Sequence, residues 1–353
     1  DGSIFAPLQS VGEALLFRLQ PEQKSYNFRP WISRGSAVGE VMANSDVFGT
    51  GYDGETVLRV VLTGGGLTAS VLTWGAVIQD LRLEGHDAPL VLGFDAMPDY
   101  LAHSPYFGAT PGRNANRIDG GRFSIDGQSY QVECNENDVT HLHGGSDGIA
   151  RRNWDLIEFS DSRVMLQITD PDGRAGYPGN CTITCIYELK DDGVLSVIYE
   201  TTTDKPTIAN VCQHSYFVLD DTGDTSVHEL RIAADRYLPT NDRQIPEGGA
   251  VDVTGTEFDF RTMKSVVQVE HGQQVLYDHN FCLSDQRVAK RLVAEARSAA
   301  SGVSMQVLTT EPGVQYYAAF KLDVPVPGLG GRVYRPFAGF CLETQIWPDA
   351  INQ

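Results

Sequence analysis

Between Thr56 and Gly85 the chain runs TVLRVVLTGGGLTASVLTWGAVIQDLRLEG, short stretches of β-branched and aromatic residues broken by glycine. Branched Cβ atoms restrict rotamers and pack well on a pleated surface, so such stretches favour strands, while glycine supplies the backbone freedom that tight reversals need. The texture recurs in GGRFSIDGQSYQVECN, with Asp126 and Gly127 between alternating runs, and in NCTITCIYELKDDGVLSVIYETTT, with Asp192 and Gly193 at the break. An Asp-Gly pair between two such runs is a strong hairpin signal. AKRLVAEARSAASG has a helical composition, but its place between strand-like runs leaves it open. Many short strands at close spacing predict an all-β fold, an antiparallel sandwich or barrel, and 353 residues can form it as a single domain.

Charge removes some functions from consideration. Lys and Arg number 27 against 46 Asp and Glu, a formal net charge of −19. A phosphate-rich partner needs clustered cations to displace counterions, so nucleic acid is not expected as a partner. No stretch is apolar for long enough to cross a bilayer, so no membrane association is expected either. The opening DGSIFAPLQS lacks a basic segment followed by an apolar one. The six cysteines, Cys134, Cys181, Cys185, Cys212, Cys282 and Cys341, are scattered without a CxxC pair, as in a reduced cytoplasmic protein. Cys181 and Cys185 are expected to be buried thiols, and the lone NCT sequon at Asn180 to be coincidental.

Three places could carry chemistry. In DVTHLHGG, His141 and His143 would face the same way on a strand and could reach one ligand. A metal site of that kind wants a glutamate a few residues on, and HLHGGSDGIA supplies only Asp147, so no metal is expected. In NVCQHSYFVLD, His214 sits in a similar strand-like setting. In GFCLETQIWPDA, Glu343 is a carboxylate within an apolar and aromatic run, an uncommon place for one without a reason. A glutamate and two histidines are what proton exchange near neutrality requires, one group accepting while another donates.

The segments PYFGATPGRNANRIDGGRFSIDGQSYQV, THLHGG, QHSYFVL, YLPTNDRQIPEG, FDFR, YDHNFCL, TTEPGVQYY and GFCLETQ occur in the order of the motifs of the aldose 1-epimerase (galactose mutarotase) family, which the chain resembles from about Phe48 to Asn352. The resemblance implies an all-β fold that is a large antiparallel β-sandwich with a sugar cleft across one sheet. It places the family's catalytic glutamate on Glu343 and its two histidines on His143 and His214. Family substrate contacts fall on Asn116, Arg117, Asp278 and Gln315. His141 has no counterpart in the motif and is expected to be supporting at best; Asn241, where the family often has aspartate, is assigned no role. The implied reaction interconverts the α and β anomers of a neutral aldohexose such as galactose or glucose. It involves no redox change or group transfer, so no cofactor is expected. The expected partner is a small-molecule sugar, and the expected assembly a monomer or homodimer.

Residues 1–33, with LQP followed by Tyr26 and Trp31, resemble a segment that family chains carry beyond their CLET motif. The expectation is a circular permutation in which 1–33 supplies a closing strand, 34–41 is a linker and 42–353 is the main body. Two other functions stay open at this stage: a carbohydrate-binding sandwich without turnover, and a glycoside hydrolase pairing Asp278 with Glu343.

Overall fold

The computed structural model describes residues 11–21 and 44–353. Among them strands predominate, and the single α-helix is the two-turn Met97–His103. A nine-stranded sheet forms one layer. It packs against a four-stranded sheet, Ser45–Thr50 through Val77–Leu83, and a five-stranded sheet that includes Asp278–Cys282, Gly313–Tyr317 and Cys341–Gln345. Leu166, Val197 and Met305 of the large sheet meet Leu62, Val71, Val314 and Leu342 of the smaller ones in a single apolar cluster. Of the sandwich and barrel that the strand pattern allows, this is the antiparallel β-sandwich, the one that the family resemblance implies. No helix is long and apolar enough to cross a membrane.

The local signals act where they were found. Asp126 and Gly127 both take positive φ between the strands Arg122–Ile125 and Gln128–Gln131, as do Asp192 and Gly193 between Cys181–Lys190 and Val194–Thr203. Two consecutive positive φ angles give the turn whose twist matches the flanking strands. The open segment AKRLVAEARSAASG resolves as a strand, Arg291–Ser298, paired with His228–Ile232 on one side and Val303–Thr309 on the other. Its alanines suit a helix, but burying Val293, Ala294 and Ala296 between two strands outweighs that weak preference. Cys181 and Cys185 are buried thiols, and burial raises both, to about 11 and about 12.

Residues 11–21 of the N-terminal segment form the strand Val11–Pro21, hydrogen-bonded in the large sheet between Val194–Thr203 and Val303–Thr309. Leu15, Phe17 and Leu19 alternate into the core, and Phe17 lies 4.8 Å from the Phe217 ring. The rest of the segment and the linker 34–41 lie outside the described residues.

Candidate active site

The five-stranded sheet places the acids. Asn280, Gln315 and Glu343 stand directly opposite one another across three strands, with Asp278, Tyr317 and Cys341 in the adjacent row. Residues opposite one another, and residues two apart, share a face, so Asp278, Gln315 and Glu343 project to the same side. The residues between them, Phe281, Val314, Tyr316 and Leu342, point into the core. This alternation is why a carboxylate can occur in so apolar a run as GFCLETQ: Leu342 is core and Glu343 is site.

His214 comes from outside the sheet, held by its backbone: its N–H donates to the carbonyl of Ala109 and its carbonyl accepts from the N–H of Gly108. Its Nε2 lies 3.5 Å from Oε1 of Glu343. His143 completes the group, its ring 5.1 Å from that of His214, and Tyr106 stands beside both at 4.7 and 5.9 Å. All three side chains, Glu343, His214 and His143, are buried.

His141 and His143 do not share a face. The strand Thr140–Leu142 ends before His143, which turns to a φ of +52°. The Gly144 that follows has a φ of +88°, and a Cβ there would sit 1.8 Å from the carbonyl oxygen of Gly112. Only glycine fits, and the reversal aims His143 toward His214. His141 goes the other way. Its Nδ1 donates to the carbonyl of Glu133 at 2.7 Å, leaving Nε2 to accept from the Tyr177 hydroxyl at 2.6 Å. Tyr177→Phe leaves that buried acceptor unpaired, and we expect a loss of about 1 to 3 kcal/mol in urea unfolding with kcat unchanged. A large fall in kcat at full stability would instead put His141 in the reaction.

The backbone fixes the tautomer of His143. The N–H of Asn116 donates to Nδ1 at 3.1 Å, and a backbone amide can only donate. The neutral ring therefore carries its proton on Nε2. Burial, with His214 and Arg117 nearby, holds the His143 pKa well below the ordinary imidazole value, so the ring is neutral and presents one N–H. His143, His214 and Glu343 bring possible ligand atoms within 4.8 Å of one another, close enough for a metal ion. With Nδ1 occupied and Nε2 protonated, however, His143 has no free lone pair, and the trio is built for hydrogen bonding.

Burial and the charge of Asp278 raise Glu343 to about 8, against the opposing influence of the Cys212 thiol and Arg117. Burial lowers His214 to about 4. The 3.5 Å contact is thus a pair sharing one proton, which rests on Glu343, rather than an ion pair.

Arg117 is nearly enclosed. Burial alone would lower its pKa, but a two-pronged bond to Glu136, at 2.7 and 2.8 Å, and the charges of Asp278 and Glu343 hold it above the usual value. Asn116, at a φ of +62°, accepts the Arg117 N–H on Oδ1. Gln315 donates to Asp278 at 2.9 Å. The structure therefore brings Glu343, His214, His143, Arg117, Asp278 and Gln315 into one electrostatic neighbourhood, with Asn116 shaping the loop behind it. Asn241, left without a role, caps its own turn by accepting from the N–H groups of Arg243 and Ile245.

Glu136, Cys212 and Tyr106 belong to the site, and nothing in the sequence marks them. Glu136 sits among polar turn residues, and the two others are ordinary core types. Arg113 was also passed over. Its side chain is fully buried and all its nitrogens are used: Nε to Asp170, Nη1 to Pro178 O and Thr207, Nη2 to the carbonyls of Asp170 and Pro171. It pins the loop that carries Asn116 and Arg117.

Comparison with known proteins gives the family. The model of the Aldose 1-epimerase family matches residues 59–353. Galactose mutarotase of Rattus norvegicus is 40% identical over 308 residues, covering 85% of this chain and 88% of its own. Aldose 1-epimerase of Escherichia coli is 33% identical over 296 residues, 81% and 85% of the two chains. Among solved structures, galactose 1-epimerase from Lactobacillus acidophilus superposes with a TM-score of 0.73 at 26% identity, over 88% of this chain and 92% of that one. An aldose epimerase homologue from C. elegans gives 0.76 at 26%, over 83% and 90%. The sheet register, the histidine and glutamate placement and these matches agree: this chain belongs to the aldose 1-epimerase family.

Proposed function

We propose that the protein interconverts the α and β anomers of a neutral aldohexose such as galactose or glucose by acid/base opening and reclosure of the pyranose. The observation that carries this is the pairing of Glu343 with His214 at 3.5 Å, one pKa lifted to about 8 and the other lowered to about 4. Proton exchange at two oxygens on one carbon calls for two groups this close whose proton affinities the surroundings set apart.

Glu343 as carboxylate takes the proton from O1 while His214 gives one to O5; the C1–O5 bond breaks and C1=O1 forms. Rotation about C1–C2 presents the other face, and reclosure returns both protons. The cycle consumes nothing, because the pair holds one proton at each stage, gaining one from O1 as it gives one to O5, and reclosure reverses both transfers. That proton rests on Glu343 before the reaction, so forming the carboxylate and imidazolium is part of the barrier, and sugar hydroxyls donating to Glu343 lower that cost. His143 donates its Nε2–H to O5 and stabilises charge that develops there. Arg117 balances the negative charge gathered at Glu343 and Asp278, while the Asp278–Gln315 pair holds hydroxyls. A neutral sugar suits this site, because Arg117 is already committed to Glu136 and has no charge to spare for a phosphate.

The pH dependence follows. The active form carries one proton on the pair. Below about 4 a second proton adds and the base is lost; above about 8 the last proton leaves and the acid is lost. After subtraction of the buffer rate, kcat/KM is expected to be bell-shaped with limbs near those values. A rate that keeps climbing beyond pH 9 would contradict the scheme. The direct test is polarimetry of freshly dissolved α-D-galactose and α-D-glucose. Faster approach to the equilibrium rotation supports the proposal, and binding without acceleration would make the protein a sugar-binding sandwich.

A further inference from the structure

Beside the site lies a second concavity that the reaction does not use. A cavity of about 230 Å³ opens between the tip of the Ser45–Thr50/Thr56–Gly64 hairpin and the segment 152–155, with Tyr52, Trp74, Arg152 and Asn153 in its wall. The Tyr52 and Trp74 rings meet edge to face at 5.3 Å, and Tyr52 is half exposed. The same two rings line a narrower opening together with Tyr106 and Ala109. Tyr106 stands beside the rings of His143 and His214, and Ala109 bridges to the His214 backbone, so the two hollows are joined by shared walls.

Arg152 is the second observation. It is 8% exposed, and its Nη1 donates to Oδ1 of Asp170 at 2.7 Å. Asp170 is already taken by Arg113, so two buried guanidinium groups share one carboxylate. Among the described residues nothing accepts from Nε or Nη2 of Arg152, and nothing donates to Oδ1 of the adjoining Asn153. Buried polar atoms are nearly always paired, so an unpaired donor set beside an unpaired acceptor in a cavity wall points to a ligand offering both. An anion does not fit: Asp53, Glu55 and Asp155 are at the rim, and the Arg174 fork is closed on Asp147. Aromatic faces beside mixed donors and acceptors suit a neutral polyhydroxylated ring, which presents apolar C–H faces and hydroxyls that both give and take.

The structure assigns a second saccharide subsite to this cavity, next to the catalytic group and separate from it. Its occupant is one neutral sugar ring, either the outer unit of a reducing oligosaccharide or a separate monosaccharide. The oligosaccharide case rests on the epimerase function proposed above.

The test is NMR titration of the isotope-labelled full chain with galactose, alongside polarimetry. Amides of Gly51, Asp53 and Asn153 should shift as well as those of Gly144 and Gly145. In Tyr52→Ala, and in Asp155→Ala as a second exposed position, the first set should need about five to ten times more sugar, the loss of one aromatic or hydrogen-bonded contact. The glycine signals and galactose kcat should be unaltered. A rise of similar size in the KM for lactose alone identifies the occupant as a second ring of the substrate; an unchanged lactose KM identifies it as a separate sugar. Silence of Gly51, Asp53 and Asn153, or a Tyr52→Ala titration like that of wild type, overturns the subsite. Failure to accelerate galactose mutarotation counts against the proposed function instead, and leaves the binding shifts to be judged separately.

Discussion

Glu343→Gln should lower kcat for galactose mutarotation about 10³-fold and, at the same time, make the protein more stable. The loss follows from removing the group proposed to take the O1 proton, since positioned proton transfer supplies roughly 10² to 10⁴ in rate. The gain follows from linkage. Glu343 has a folded-state pKa of about 8, above its unfolded value near 4.5, so the folded state holds the proton more tightly throughout that interval. Stability therefore falls as pH rises from about 4.5 to about 8, because the unfolded chain releases a proton that the fold retains. At pH 7, about 2.5 pH units above the unfolded value and still below the folded one, the retained proton costs roughly 3 kcal/mol of stability, and the amide is free of that cost. Urea unfolding should show the variant more stable by about that much at pH 7 and level with wild type near pH 4. An inactive variant with no pH-dependent gain would mean that Glu343 is ionised and well solvated in the folded state, and the account of its pKa would fall. A stabilised variant that keeps its activity would remove Glu343 from the reaction.

Arg113→Met should produce the largest loss of stability, about 3 to 5 kcal/mol. Methionine fills much of the space but replaces none of the hydrogen bonds. Asp170 would keep only Arg152, and the carbonyls of Pro171 and Pro178 would lose their donor in the interior. Such a cost comes mainly from the partners left behind rather than from the pair's own attraction. Where the variant remains folded at low temperature, KM should rise, because the loop bearing Asn116 and Arg117 loses its anchor. Denaturant midpoints read the first effect and polarimetry at several sugar concentrations the second; a change below 1 kcal/mol would show that the loop is held elsewhere.

Much of the fold was legible because its signals are local. Each Asp-Gly pair sits within two or three residues of the strands it joins, and positive φ is a property of the turn itself. The segment 289–302 was not legible. Its alanines and charges suit either state, and the choice was made by His228–Ile232 and Val303–Thr309 pairing on both sides. At the site, His143, His214 and Glu343 were found through their motifs, yet the relation of His143 to His141 was not. Alternation on a strand places the two side by side, and one turn at His143, made possible by Gly144, separates them. Glu136 was invisible for a different reason: its importance is its grip on Arg117, and a carboxylate in a polar turn looks like many others.

By itself the sequence determined the strands, the turns between them, the family and the identity of the groups that can exchange protons. These depend on side-chain shape, backbone freedom and residue type, all carried by neighbouring positions. Only the tertiary structure decided the protonation of those groups. His214 and Glu343 are 129 positions apart in the chain and 3.5 Å apart in space, and it is enclosure by distant strands, together with the charge of Asp278, that lifts one proton affinity and lowers the other. Desolvation and through-space charge have no counterpart in sequence order, so the proton affinities of Glu343 and His214 and the tautomer of His143 are set only once the sandwich has closed around them.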